Sequence, residues 1–317
     1  MKACKFILLI LAVISQISCS CNHKEQTQEL KVLSWNIWHG GHSEKYPGKS
    51  CEGALGILKK SDADIITMVE TYGNSNMVAS HLGYYHRLLS SNLSIYSRYP
   101  IIDTYTYPDI IDPFNFGGVM INVNGKKIRV FDVWLNWKPS NAYVPVELTS
   151  EEINSWSDAG TRDDEILKIM GILKPFMEEA DEIPIIIAGD FNNHSHLDWI
   201  ESTKDMYNHG GRVVDWTVTN IIQDNNFKDS FRELHPDPSK SIEELGPTWL
   251  WKKGKRERLD RIDYIFYQGS SLNAVSSESY ACDIAGELEF KGESFFYPSD
   301  HGFLMTTFAL NGRFETK

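Results

Sequence analysis

The chain has 317 residues, 42% of them hydrophobic and 12% aromatic, enough apolar material for one large core or two small ones, which excludes disorder as its main state. Asp and Glu number 43 against 31 Lys and Arg, a net charge of −12, so the chain lacks the broad basic face on which non-specific polyanion binding rests. No internal repeat, heptad run or collagen-like period is present, which removes solenoid and fibrous architectures.

The first element in chain order is a leader. Lys2 and Lys5 precede an unbroken apolar run over residues 6–14, and Ser18, Cys19, Ser20 and Cys21 supply small residues behind it, the layout of a secretory signal over residues 1–18. That run is far shorter than the roughly 20 residues a membrane-spanning helix needs. A Cys directly behind such a segment resembles the lipobox of bacterial lipoproteins. The resemblance implies acylation at Cys19, with Cys21 as the alternative and simple cleavage and release as the other outcome. It makes the protein exported and held to a bacterial envelope membrane through a lipid anchor only. Residues 19–29 then read as a polar tether and 30–317 as a single domain.

Residues 30–37 (LKVLSWNI) alternate as a strand, 51–60 place Ala54, Leu55 and Leu58 on one helical face, and 64–69 (DIITMV) read as a buried strand. This is a β-α-β start. Asn124-Gly125, which tolerates positive φ, joins the runs 117–123 and 127–135 in a hairpin, so the sheet is mixed. Ile166, Leu167, Ile169, Met170 and Leu173 give residues 163–180 helical spacing, and 183–188 (IPIIIA) form a fully buried strand running into Gly189-Asp190. Further strands are predicted at 261–267, 274–282 and 303–310, and the long loops 138–157 and 208–215 are placed to frame a site. Strands outnumber helices in an interleaved order, which fits α/β with two packed sheets. Beyond the leader, Cys51 and Cys282 read as two separate buried thiols, a disulfide being the alternative.

Oxygen-rich side chains stand at the ends of these strands: Asn36 (SWNIWHGG), Glu70 (DIITMVE), Asp190 and Asn192 (GDFNNHSH), and Asp300 and His301 (YPSDHG). Carboxylate and amide oxygens with no Cys and few His suit a hard cation such as Mg²⁺ better than zinc. Together with Ser97-Arg98-Tyr99-Pro100-Ile101 and Arg261-Ile262-Asp263-Tyr264, these segments resemble, in order and separation, the endonuclease/exonuclease/phosphatase superfamily, which includes deoxyribonucleases, neutral sphingomyelinases and inositol phosphatases. The resemblance covers residues 30–310. It implies an α/β four-layer sandwich, two mixed β-sheets face to face with helices outside, and a monomer that cleaves phosphate esters with a metal. In the roles it implies, Glu70, Asn36 and Asp300 hold Mg²⁺, for which Mn²⁺ can substitute. Asp190 orients or deprotonates the attacking water, Asn192 holds that water or a phosphate oxygen, and His301 contacts the phosphoryl group, oriented by Asp263 with Asp260 as the alternative.

One position departs from the pattern. Many members carry His where this chain has Trp134 (Asp132-Val133-Trp134-Leu135), and indole offers only an N–H donor that exchanges no proton. Protonation of the leaving group then falls to His39, His194 or Lys138, or goes unsupplied. Lys138, Trp134, His194 and Arg162 are candidate substrate contacts, and one of Trp249 and Trp251 offers a face for a substrate ring. Ser195 is placed to cap a short helix at 196–201, and the basic run 252–258 reads as a solvated hairpin tip.

These features favour a phosphodiesterase acting on a small or lipid-linked headgroup. A secreted deoxyribonuclease is the alternative, disfavoured because the acidic charge steers nucleic acid poorly. From another class comes a ligand-binding lipoprotein that has lost turnover, against which the retained carboxylates argue. Monoester and diester substrates stay undecided, because the same carboxylates serve both.

Overall fold

The computed structural model describes residues 26–42, 48–140, 144–145, 147–253 and 256–314. The leader with Cys19 and Cys21 lies outside the described residues, as do the side chains of the basic run 252–258.

The chain opens with β1 (Gln26–Asn36), α1 (Lys49–Ser61), β2 (Ile65–Val69), α2 (Ser75–Leu82), β3 (Tyr85–Leu88), β4 (Ser94–Ser97) and β5 (Ile101–Tyr105). The predicted hairpin follows as β6 (Phe116–Val123) and β7 (Lys126–Trp134), then α3 (Ser150–Asp158), α4 (Arg162–Met177), β8 (Ile185–Asp190) and α5 (Thr217–Asp224). The last third adds β9 (Lys228–Asp229), α6 (Ser230–Leu234), α7 (Ile242–Leu245), β10 (Trp249–Lys253), β11 (Arg256–Asp260), β12 (Asp263–Gln268), β13 (Leu272–Tyr280), β14 (Glu287–Phe290), β15 (Glu293–Phe296) and β16 (Phe303–Gly312).

Two mixed six-stranded sheets result, ordered β13-β16-β1-β2-β4-β3 and β5-β6-β7-β8-β12-β9. Alternation along each strand sorts the side chains into layers. Leu30 and Val32 of β1 meet Val130, Ile186, Ala188 and Ile265 between the sheets. Leu33 and Trp35 point the other way, onto Ala54, Ile57 and Leu58 of α1. On the far side, Phe131 and Ile187 pack against Ile166, Ile169 and Leu173 of α4. The layers run helix, sheet, sheet, helix, which is the sandwich expected from the sequence. Trp35 is fully buried, and truncating such a ring to Ala costs about 3–5 kcal/mol.

Several boundaries differ for identifiable reasons. β1 begins at Gln26 and pairs with β16 from Gln26↔Gly312, so the last four residues of the expected tether belong to a strand. Their side chains stay largely exposed and are held by the backbone ladder and polar contacts such as Thr27 Oγ1 on Asn311 Oδ1 at 2.6 Å, which leaves no apolar alternation to read. Within the expected loop 138–157, Thr149 and Glu152 form a capping box that opens α3. Residues 196–201 form turns instead of a helix, and Ser195 Oγ accepts Leu197 N–H at 3.1 Å. Cys51 and Cys282 are separate half-buried thiols, the first against Met77 Sδ at 3.4 Å and the second against Glu287 O at 3.5 Å.

Candidate active site

Each sheet contains one parallel pair, β1 with β2 and β7 with β8, and both pairs deliver their C-terminal ends to the same edge of the sandwich. Asn36 stands beside Val69 with Glu70 next along, and Trp134 stands beside Asp190. Period-two alternation then turns Asn36, Trp134, Asp190 and Asp263 toward the interlayer, because Val32, Val130, Ala188 and Ile265, each an even number of residues away, fill it. The site is the open end of the inter-sheet core. One amide ties its halves together: Asn36 Nδ2 donates to Glu70 Oε1 and to Asp190 Oδ2, each at 3.1 Å. Ser299 Oγ donates to the Asn36 carbonyl at 2.6 Å and accepts His301 N–H at 3.0 Å, which fixes the last strand to the first.

Two backbone positions make the approach possible. Gly189 has φ 141°, and a Cβ there would lie 2.0 Å from the Val133 carbonyl, so only glycine lets β8 come this close to β7. Glu70 has φ 59°, a conformation rare for its type, held by its N–H on Asn92 Oδ1 at 2.8 Å and its carbonyl under Gly40 N–H at 2.6 Å.

The charges are arranged as a relay. His301 Nδ1 sits 3.0 Å from Asp263 Oδ2, and His301 Nε2 sits 3.8 Å from Asp190 Oδ2. Burial opposes the charged imidazole, but the carboxylates of Asp263, Asp190 and Asp300 outweigh it and hold the His301 pKa well above its ordinary value. Burial pushes the Asp190 carboxyl up to about 7, with His301 pulling it down and Asp263 raising it further. Asn192 positions Asp190 on both oxygens, its N–H on Oδ1 at 2.8 Å and its Nδ2 on Oδ2 at 3.1 Å. Asp260, the alternative orienter of His301, lies instead beside His194, with Nδ1 to Oδ1 at 3.4 Å.

The donor set fits a hard divalent cation. Glu70 and Asp300 both line the cavity, Asp300 Oδ1 is buried with no hydrogen-bond partner, and burial together with the Glu70 charge raises the Asp300 carboxyl above its usual range. Two crowded carboxylates with an orphaned oxygen are relieved by a positive ion. Asp190, Asp263 and His301 also bring donor atoms within 4.8 Å of one another, but Asp263 and His301 spend theirs on each other. Asn36, expected as a ligand, turns its nitrogen to the carboxylates while Oδ1 accepts Trp38 N–H at 3.0 Å; a half-turn of the amide would exchange the two.

A cavity of about 570 Å³ covers this edge, lined by Glu70, Asp190, Asn192, Asp300 and His301 and walled by aromatic rings. Trp134 and His194 line it as expected, and Trp249 lies against His301 with ring centroids 4.6 Å apart. Trp38, which lies in the SWNIWHGG segment, and Tyr72, Phe114 and Trp137, which no motif marks, complete the wall. Lys138 and Arg162 are not in the lining. Lys138 lays its ammonium over the Trp137 ring at 4.9 Å, and Arg162 is buried, donating to the carbonyls of Asn192 and, at 2.9 Å, Pro139. Arg162 therefore braces the Asn192 loop from α4. The Ser97–Ile101 motif sits at the opposite end of β2, where Ser97 pairs with Ile65.

A buried carboxylate, a charged imidazole and a donor set that fits a cation, at the mouth of a two-sheet sandwich, suit phosphoric ester hydrolysis. The chain belongs to the Endonuclease/Exonuclease/phosphatase family, which it matches over residues 33–301. Among its relatives, the uncharacterized protein F14F9.5 of Caenorhabditis elegans is 26% identical over 317 residues, covering 93% of this chain and 96% of that one. Among solved structures, D. rerio TDP2 complexed with single strand DNA product superposes with a TM-score of 0.58 at 14% identity, over 88% of this chain and 98% of that one. An AP endonuclease from Archaeoglobus fulgidus gives 0.53 at 18% identity, over 87% and 98%. An endonuclease/exonuclease/phosphatase family protein from Bacteroides thetaiotaomicron gives 0.53 at 14%, over 90% and 99%.

Proposed function

We propose that the protein is a Mg²⁺-dependent phosphodiesterase for small phosphodiesters, exported and held to its membrane by a lipid on Cys19. The observation that carries the substrate reading is the lining of the cavity: among the described residues it contains aromatic rings, carboxylates and imidazoles but no Lys or Arg. A polynucleotide track needs cations along the backbone, whereas a small diester needs one neutralised phosphate and an apolar wall. The aromatic wall also offers stacking to bases, which keeps a nuclease as the second reading.

In this reading Glu70 and Asp300 would hold Mg²⁺, with Asn36 beside them and Mn²⁺ able to substitute, and the ion would supply charge neutralisation at the phosphate. Asp190 accepts the proton of the attacking water, and its raised pKa matches that task near neutrality. Asn192 and Asn36 fix the Asp190 oxygens, and His301, kept protonated by Asp263, donates a charge-assisted hydrogen bond to a non-bridging phosphate oxygen.

The test is Mg²⁺-dependent hydrolysis by the protein of an aryl phosphodiester, an aryl phosphomonoester, plasmid DNA and sphingomyelin. The small diester is expected to turn over fastest. Plasmid cleavage ahead of it would select the nuclease, and no turnover of any substrate would select a binding lipoprotein. For the anchor, the expressed full-length chain is expected in the detergent phase on phase separation, and wholly aqueous partition would overturn it.

A further inference from the structure

We propose that His194, beside Asp260, is the imidazole that protonates the leaving oxygen, a role that rests on the phosphodiesterase reading above. Trp134 removes the usual source of that proton, and the structure separates the three side chains that could replace it. Lys138 is outside the cavity lining, with its ammonium on Trp137. His39 stands on the Glu70 flank, its N–H 3.4 Å from Glu70 Oε2 and its ring against Trp38 at 4.7 Å. His194 stands on the Trp134 flank. It follows Asn192 by two residues, and Asn192 Nδ2 donates at 2.9 Å to the carbonyl of Leu135, the neighbour of Trp134. It lines the same cavity as Asp190 and His301.

The surroundings of His194 resemble those of His301 in part. Each imidazole has Nδ1 beside a buried carboxylate: His301 in a hydrogen bond to Asp263 Oδ2 at 3.0 Å, His194 within ion-pair distance of Asp260 Oδ1 at 3.4 Å without that hydrogen bond. The two carboxylates flank the junction of β11 and β12, so one short segment presents two Asp–His pairs to one cavity. Trp199 stacks on the His194 ring at 5.3 Å and Trp216 meets it edge-on at 4.7 Å, which fixes the plane of the imidazole. Trp199 Nε1 donates to Asp260 Oδ1 at 3.1 Å, His209 Nε2 lies 3.6 Å from the same oxygen, and the Arg212 guanidinium lies 6.0 Å from the Trp199 ring. Among the described residues, His209 and Arg212 are titratable or charged groups packed on this side of the pair.

With Nδ1 on the Asp260 side of the ring, Nε2 is the nitrogen assigned the proton transfer. The step balances. Water oxygen bonds to phosphorus as its proton passes to Asp190, the phosphorus–oxygen bond to the leaving group breaks with its electron pair, and that oxygen takes the proton from His194 Nε2. Asp190 then releases a proton to solvent and His194 regains one.

The test compares two diesters on the same protein preparation with Mg²⁺: a methyl 4-nitrophenyl phosphodiester, whose phenolate leaves without a proton, and an alkyl-only diester, whose alkoxide does not. His194→Gln is expected to lower turnover of the alkyl diester by about 10²-fold while the aryl diester changes by less than about threefold. The ratio is independent of how much of the buried variant is folded. Asp260→Asn is expected to move the alkaline limb of the alkyl-diester pH profile to lower pH and to leave the aryl profile in place. Equal losses on both diesters, or no loss on the alkyl one, would overturn the role of His194 alone. A parent enzyme without Mg²⁺-dependent hydrolysis of either diester would overturn the phosphodiesterase reading and this inference with it.

Discussion

Asp190 combines complete burial with contact to a charged imidazole, and the base function proposed for it rests on that balance. Because its carboxyl is raised to about 7, kcat/KM is expected to climb as pH rises through the neutral range and ionises it, and a pH–rate profile with the aryl diester checks this. Asp190→Asn should cost about 10²- to 10⁴-fold in kcat with the acidic limb abolished. Glu70→Gln removes the ligand charge and preserves shape, so Mg²⁺ affinity measured by titration should fall while the thermal midpoint stays near that of the parent. Asp132 gives a stability prediction. It lies two residues before Trp134 on β7, fully buried, and burial holds its carboxyl well above the usual range. The native state thus keeps a proton that the unfolded chain loses above pH of about 4, so this group's contribution falls as pH rises from there toward its folded value. Asp132→Asn should cancel that slope, and urea melts of both proteins at pH 5 and pH 7 measure it.

Among the secondary elements, β7 and β8 depend on Gly189. Gly189→Ala would push a methyl group into the Val133 carbonyl and impose a left-handed backbone on a residue that resists it. The expected result is a destabilisation of about 1–3 kcal/mol in denaturant melts and a larger loss of turnover, because Trp134 and Asp190 sit on the displaced ends. The strands that built this edge were legible in the sequence, since LKVLSWNI, DIITMV and IPIIIA are apolar runs that end in polar residues. Asn36, Glu70 and Asp190 stand at the ends of such runs and His301 just before the last one, whereas Asp263, at the start of its strand, came only from the resemblance to the family. Beyond Trp134 and Trp249 the aromatic wall could not be read, because Tyr72 and Phe114 come from turns whose positions depend on the whole sandwich. Arg162 misled because a helix-start cation looks alike whether it reaches for a phosphate or braces a loop. β3, β4 and β5 went unread because they are short and, in β3, fully exposed.

At the scale of the whole molecule, the net charge of −12 acts on every encounter with an anionic substrate. Repulsion is screened as salt is added, so kcat/KM for a small anionic diester should rise from about 10 mM to 150 mM ionic strength, where the Debye length contracts from about 30 Å to 8 Å. A protein steering polyanions would show the reverse slope. Initial rates across a salt series, corrected for Mg²⁺ occupancy, decide between them.

β1 runs from Gln26 at one end of the sandwich to Asn36 at the cavity, so the length of this eleven-residue strand separates the point where the described chain enters the fold from the chemistry. At about 3.3 Å per residue the strand spans roughly 33 Å. A lipid on Cys19 leaves seven residues before Gln26, a reach of at most about 25 Å. An anchored enzyme would therefore stand on its Gln26 end with the cavity facing away from the lipids that hold it. Headgroups in its own leaflet would be poor targets, whereas solutes, or a second membrane brought up to the exposed end, would meet the cavity directly. Vesicles carrying the anchored protein should accordingly cleave a phosphodiester lipid faster when it sits in separate vesicles than when it shares their bilayer.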